Sequence, residues 1–295
     1  MLLAARIFLR NPLGELRLLR AGDPVAYYNF LQGERADDLL DLDNPLWLNL
    51  GDWRHATTYA DACAALAIDL AEAAELAPGQ TILDVGFGYG EQDLLWLERY
   101  RPERIVGVNV APGHVEVARE RARRAGAGGA LDLRLGSATD LPRGESFDRV
   151  LALDCAFHFD TREDFFAEAF RVLRPGGRLA VADMLPAPGS RYDSWWYRAI
   201  RRRNGIPEAN MYDLDDYLER LRRAGFAEVR GESIAPWVFS GGAEYLRQRR
   251  AGRERGEVVV ELAPADFHLD GWRGRWELFF SADDYVLVTA DKPSR

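Results

Sequence analysis

Between residues 81 and 185 five short β-rich runs, TILDVG, RIVGVNV, LDLRLG, DRVLALD and GRLAVADML, alternate with stretches that read as helices. A strand that returns through a helix to its own sheet does so in the same direction, so this alternation dictates parallel strands with helices on both faces. The expected fold is therefore α/β, with a doubly wound sheet. Boundary signals agree. Pro112 opens the helical stretch APGHVEVARERARRAG and Gly126 lies past its end, while TREDFFAEAFRVLRPGG starts on Thr161 with Asp164 three residues on and stops at Pro-Gly-Gly.

The first strand ends on an acid and runs into Gly86, Gly88 and Gly90. Glycine is entropically costly, so three at alternate positions imply a tight turn and close approach to a ligand. In an open α/β sheet that ligand sits beyond the carboxyl ends of the strands, where this loop belongs. A dinucleotide is disfavoured, because its fingerprint needs glycine at 91, where Glu91 stands. A carboxylate in the first helical turn also opposes a pyrophosphate.

Taken together, LDVGFGYG, then GSATDLP, SFDRVLALDCAFHF and EAFRVLRPGGRLAVADMLP, in that order, resemble the class I S-adenosylmethionine-dependent methyltransferases over residues 78 to 186. Within that family the stretches DVGFGYGEQDLLW, HVEVARERA, GSATDLP and CAFHFDTREDFF look closest to tailoring enzymes of peptide and polyketide metabolites, of the microcystin O-methyltransferase type. The resemblance implies a Rossmann-like, seven-stranded sheet, mostly parallel, with FAEVRGESI as sixth strand and DYVLVTADKP as an antiparallel C-terminal strand. It implies S-adenosyl-L-methionine as cofactor and a hydroxyl of a small-molecule secondary metabolite as acceptor. It also implies cofactor contacts from Asp84, Gly86, Gly88, Gly90 and Gln92 around the first loop, Asn109 and Val110 after strand two, Ser137 and Ala138 after strand three, and Asp154 after strand four. Two positions depart from the family pattern. Asn109 replaces an acid that accepts both ribose hydroxyls, and an amide cannot accept twice in that way. Ser137 replaces the aspartate that meets the adenine amino group, leaving its hydroxyl and the Ala138 backbone as substitutes.

The segment NPLWLNLGDWRHATTYADA resembles a lead-in that folds over the cofactor in many small-molecule methyltransferases. Trp53 and Tyr59 are then candidates to line the sulfonium, because aromatic faces attract a cation; simple packing is the alternative. Residues 1–75 read as an N-terminal helical cap and 76–295 as the methyltransferase domain, with a lid inserted at about 187–224. Trp195, Trp196, Tyr197 and Met211 on the lid are candidate pocket walls, with core packing as the alternative. The arginines at 201 to 203 and those between 247 and 255 read as solvated helix faces, with a grip on an acidic substrate as the lesser reading.

A hydroxyl acceptor must lose a proton, which calls for a base. Chain order brings His158 and Asp154 to the loop after strand four and Asp183 to the end of strand five. His158 is the candidate general base and Asp183 its candidate orienter; the competing reading is that His158 caps the next helix or packs. Of histidines 55, 114, 158 and 268, only His158 is placed at the site by chain order. Cys155 reads as a small buried hydrophobe, with no basic partner to favour thiolate. The runner-up function is C-methylation of an alkene in a prenyl diphosphate or sterol-like substrate, where Asp154 and aromatics would stabilise a carbocation. A cofactor-binding module without chemistry is a third.

Composition excludes other classes. With 38 basic residues against 47 acidic and a net charge of -9, capture of nucleic-acid phosphates is not expected. Two cysteines, Cys63 and Cys155, are too few for a disulfide framework or a Cys-based metal site, and they fit a reducing cytoplasm. No stretch is long and apolar enough for a bilayer span. The opening MLLAARIFLRNPLGELRLLR, interrupted by Arg6 and Arg10, is expected to be a cap helix rather than a secretory signal, with peripheral membrane contact as the lesser option.

Overall fold

The computed structural model describes residues 45–190, 194–203, 205–254 and 283–294. Most of the expected N-terminal cap, including the Arg6 and Arg10 stretch, and His268 lie outside them. Seven strands form one sheet: β1 (Thr81–Val85), β2 (Arg104–Asn109), β3 (Leu131–Leu135), β4 (Phe147–Leu153), β5 (Leu173–Pro186), β6 (Ala227–Ser233) and β7 (Asp283–Asp291). Their order across the sheet is β3-β2-β1-β4-β5-β7-β6. The first five run parallel, and β7 is antiparallel to both β5 and β6. Strand order reverses between β1 and β4, which opens a crevice beyond their carboxyl ends.

Two apolar layers sandwich the sheet, as the period-2 alternation of its strands requires. Ile82, Ile105, Leu133 and Leu151 face one layer, and Leu83, Val106, Val150 and Ala152 face the other. On the first face lie α1 (Tyr59–Ala73), α2 (Glu91–Tyr100) and α3 (Pro112–Arg124). The stripe Ala62, Cys63, Leu66, Ala67, Leu70, Ala71 of α1 repeats at helical spacing and is wholly buried, and Trp96 of α2 donates its indole N–H to the Ala67 carbonyl at 2.9 Å. On the second face lie α4 (Arg162–Val172) and, later in the chain, α6 (Leu214–Arg223). At the start of α4 the Thr161 hydroxyl oxygen accepts the Asp164 N–H at 3.0 Å, as the cap signal predicts.

Within the span read as a lid, α5 (Trp195–Arg203) and the short turn Glu208–Asn210 precede α6. Tyr217 and Leu221 of α6 are buried in the second layer, with Tyr217 4.9 Å from the ring of Phe166, so α6 is the crossover that delivers β6. Arg201 is buried and paired with Asp283 at the start of β7, contrary to the solvated-face expectation, because Asp283 needs a counter-charge there. A last described helix, α7 (Gly241–Glu254), packs its first turn on Trp53: a Cβ at Gly241 would lie 2.1 Å from the Trp53 Cβ. Among the described residues no helix is long and apolar enough to cross a membrane.

Candidate active site

A cleft of about 940 Å³, open to solvent, lies at the reversal point of the sheet. Its floor is the loop after β1. Gly86, Gly88 and Gly90 all adopt left-handed backbone, with φ of 87°, 56° and 82°, a conformation side chains resist. Gly86 and Gly88 face the cleft, and a Cβ at Gly86 would meet the Cys155 Sγ at 2.5 Å. Gly90 does not line it; this residue is the N-cap of α2 and turns toward Ala118 and Asp93.

Alternation along β1 points Asp84 to the same face as Ile82, under α2. Asp84 is therefore not a lining residue, although Gln92, which donates to its Oδ2 at 3.1 Å, is. Beside it on α2 stands Asp93, equally buried, and the two carboxyl groups lie within hydrogen-bond reach of each other. Burial raises the Asp84 carboxyl to about 7 and pushes Asp93 well up, so the pair holds a proton near neutrality.

Farther along the cleft, Asn109 Oδ1 accepts the Ala111 N–H at 3.1 Å and its amide reaches the Gly88 carbonyl at 3.4 Å. The amide thus braces the glycine loop against the start of α3, a task that a carboxylate without donors could not complete. Val110, 46% exposed, presents an apolar rim, with Gly136, Ser137 and Ala138 also lining. The Ser137 hydroxyl is bonded to Thr139 Oγ1 at 2.9 Å inside its own turn. His114 of α3 also lines the cleft, its ring tilted against that of Tyr89 at 4.5 Å, which corrects the expectation that His158 alone among the histidines reaches it. No local signal placed it there: Pro112 marks where the helix starts, not how α3 packs over the loop.

The roof is the lead-in. Leu46, Leu48 and Asn49 line the cleft, and the strap is held at both ends by carboxylates: Glu91 Oε1 accepts Leu46 N–H at 2.9 Å, and Asp154 Oδ2 accepts Leu50 N–H at 2.9 Å. Glu91, whose presence argued against a dinucleotide, is also paired with the buried Arg121. Trp53 and Tyr59 support the strap instead of lining the cofactor pocket. The Tyr59 hydroxyl donates to the Asn49 carbonyl at 2.7 Å and the Trp53 indole to the Leu50 carbonyl at 3.0 Å, so each ring is spent on packing and its polar tip on the backbone.

At the acceptor end, Asp154, Cys155, His158 and Phe159 line the cleft from the loop after β4. Burial raises Asp154 to about 7, with Tyr285 beside it. Cys155 donates its thiol to the Val85 carbonyl at 3.0 Å and its pKa is pushed far up by burial, which fits the inert reading. His158 Nδ1 lies 3.1 Å from the Gly205 carbonyl, and burial lowers the ring to about 4. Asp183 does not orient it. The Asp183 carboxylate accepts from Arg162 Nε at 2.7 Å and from the Met184 N–H at 2.9 Å, both residues being buried, because a guanidinium compensates a carboxylate there as a neutral imidazole cannot. On the lid, Trp195 is exposed, Tyr197 is buried against Arg201 and Asp283, and Met211 packs on the core; none lines the cleft, and the Trp196 side chain lies outside the described residues.

These features fit an aminoacyl sulfonium nucleoside: bare glycine backbone on the floor, the Gln92 side chain beside it, and an exposed apolar side chain at the nucleobase end. The methyltransferase domain family matches residues 83–181. Erythromycin 3''-O-methyltransferase from Saccharopolyspora erythraea is 43% identical over 273 residues, covering 88% of this chain and 87% of that protein. A 27-O-demethylrifamycin SV methyltransferase from Amycolatopsis mediterranei is 30% identical, covering 88% and 96%. In fold, the crystal structure of a putative sarcosine dimethylglycine methyltransferase from Galdieria sulphuraria aligns with a TM-score of 0.70 at 19% identity, over 92% of this chain and 98% of that one. The chain belongs to the class I S-adenosylmethionine-dependent methyltransferases, in the natural-product O-methyltransferase group. It uses S-adenosylmethionine and methylates a hydroxyl of a small-molecule secondary metabolite.

Proposed function

We propose that the acceptor is a hydroxyl of an antibiotic of the erythromycin or rifamycin kind and that His158 removes its proton. The identity over nearly the whole chain supports the acceptor class, and one observation supports the base: the contact between His158 Nδ1 and the Gly205 carbonyl. A carbonyl only accepts, so Nδ1 carries the proton and the basic lone pair belongs to Nε2. When bound, S-adenosylmethionine supplies a methyl group on a sulfonium for in-line displacement. The glycine loop and Gln92 bind the aminoacyl end, and Asn109, Val110, Ser137 and Ala138 bind the nucleoside end. Asp154 and Glu91 hold the Leu46–Leu50 strap over both, which excludes water and fixes the approach of the acceptor. His158, neutral above about pH 4, accepts the hydroxyl proton as the oxygen attacks. The proton arriving on the ring replaces the positive charge that the displacement removes from the cleft.

The test is transfer of labelled methyl to erythromycin-type and rifamycin-type desmethyl acceptors by the wild type and His158→Ala. The variant is expected to lose about 10²- to 10⁴-fold in turnover. The acid limb of the wild-type profile is expected near pH 4, not 6.5, since the protonated ring cannot act as base. Near-normal turnover in the variant rejects the base, and transfer to neither acceptor type rejects the acceptor class.

A further inference from the structure

The groups that hold the 156–160 turn come from a part of the chain that the reaction chemistry does not name. Ala156–His158 is a single 3-10 turn, too short to fix a ring by its own hydrogen bonds. The carbonyls on either side of His158 are both taken by one side chain: Asn210 Nδ2 donates to the Phe157 carbonyl at 3.2 Å and to the Phe159 carbonyl at 2.7 Å. The other half of that amide accepts the Arg162 N–H at 2.9 Å, and the Asn210 main-chain carbonyl accepts from Arg162 Nη1 at 2.5 Å. Asn210 is 1% exposed, so each of these bonds forms away from competing water. Five residues earlier, the Gly205 carbonyl faces His158 Nδ1, and this end of the segment is tied to the lid helix by Gly205 N–H to the Arg202 carbonyl at 3.1 Å and Ile206 N–H to the Arg201 carbonyl at 3.0 Å.

We propose that the Gly205–Asn210 segment is the positioning element of His158: Asn210 fixes the backbone on both sides of the ring, and the Gly205 carbonyl selects the Nδ1–H tautomer. Asp183 holds the same turn from below, its carboxylate accepting the Phe157 N–H, and it also acts through Arg162, whose guanidinium donates to the Met184 carbonyl at 2.9 Å and so anchors the assembly to the end of β5. The proposal rests on the reading of His158 as base and deepens it, because the same segment continues from α5. Any acceptor that displaces the lid displaces the proton acceptor with it. Charged neighbours of the ring among the described residues are Arg162 and Arg201, both of which disfavour the imidazolium.

The experiment combines imidazole ¹H–¹⁵N correlation spectra, assigned with His158→Gln, with kinetics of Asn210→Asp and Asn210→Leu. Wild-type His158 is expected in the Nδ1–H form. Both Asn210 variants are expected to show mixed tautomers, a turnover lower by about 10²-fold, as for an ångström of misplacement, a shifted acid limb, and S-adenosylmethionine affinity within about twofold of wild type by calorimetry. A wild-type spectrum of the Nε2–H form overturns the proposal even if no Asn210 variant folds. So does a folded variant with unchanged spectrum and pH profile, or a tautomer change seen in Asp183→Asn and absent from both Asn210 variants. If His158→Ala retains turnover while the Asn210 variants still alter the ring spectrum, the base reading fails and the positioning role stands.

Discussion

Residues 84 to 93 supply the wall of the cleft under β1, whereas the wall under β4 draws on Asp154, His158, Arg162, Asp183, Gly205 and Asn210. The first wall is made of backbone shape. Its glycines need left-handed φ and open space, and its carboxylates sit next to one another because α2 starts where β1 ends. The second wall is a polar network with one member from each of several elements, holding a turn that has little structure of its own. A local wall is broken by a single atom in the wrong place; a distributed one is broken by leaving a buried group without its partner.

The largest expected effect separates the two at once. Gly86→Arg places side-chain atoms where the Cys155 Sγ already lies and strains a φ of 87°, so S-adenosylmethionine binding measured by calorimetry is expected to vanish, with circular dichroism confirming a folded chain. Retained binding would move the cofactor off this loop. Next in size, Arg162→Met leaves the Asp183 carboxylate buried and uncompensated and is expected to cost about 3–5 kcal/mol in urea unfolding, most of it recovered by adding Asp183→Leu. A loss under 1 kcal/mol would mean that the second wall does not depend on this pair.

The smallest effect sharpens the first wall. The folded Asp93 carboxyl titrates above its ordinary range, so the native state binds more protons than the unfolded chain and stability falls as pH rises above about 4. Asn at 93 carries no proton to lose. The melting temperature of Asp93→Asn relative to wild type is therefore expected to climb between pH 5 and pH 8, by about 2–4 °C for each kcal/mol relieved. The histidines at 114 and 158, both lowered to about 4, contribute the opposite slope in both proteins and cancel in the difference. A difference that stays flat would show that the acid pair is not protonated.

The contrast also explains what could be read from the sequence. Strand alternation, the glycine loop and the two helix caps are local signals, and they place the sheet, the cofactor floor and the loop carrying His158. Trp53 and Tyr59 are legible as part of the strap while their side of it stays open between lining and packing, since a sequence does not state whether an aromatic ring in a strap faces the cleft or the helix behind. His114 was hidden because lining depends on how α3 turns back. Chain order alone pairs Asp183 with His158, but a buried carboxylate goes to the strongest available donor, and Arg162 opens the helix after the His158 loop. Asn210 carries no motif at all: its role exists only once the Glu208–Asn210 turn is packed against residues 157–159, 51 to 53 positions earlier.

One feature of the sheet bears on how this protein is made. Among the described residues β6 pairs with β7 and with no other strand, and β7 enters between β6 and β5. During synthesis β6 leaves the ribosome well before the strand that joins it to the rest, and its open edge must wait. The interval between them is the time in which a chaperone has most to do, and a nascent chain stalled before residue 283 would expose the outer edge of β5 and an unpaired β6 to any neighbour able to pair with them.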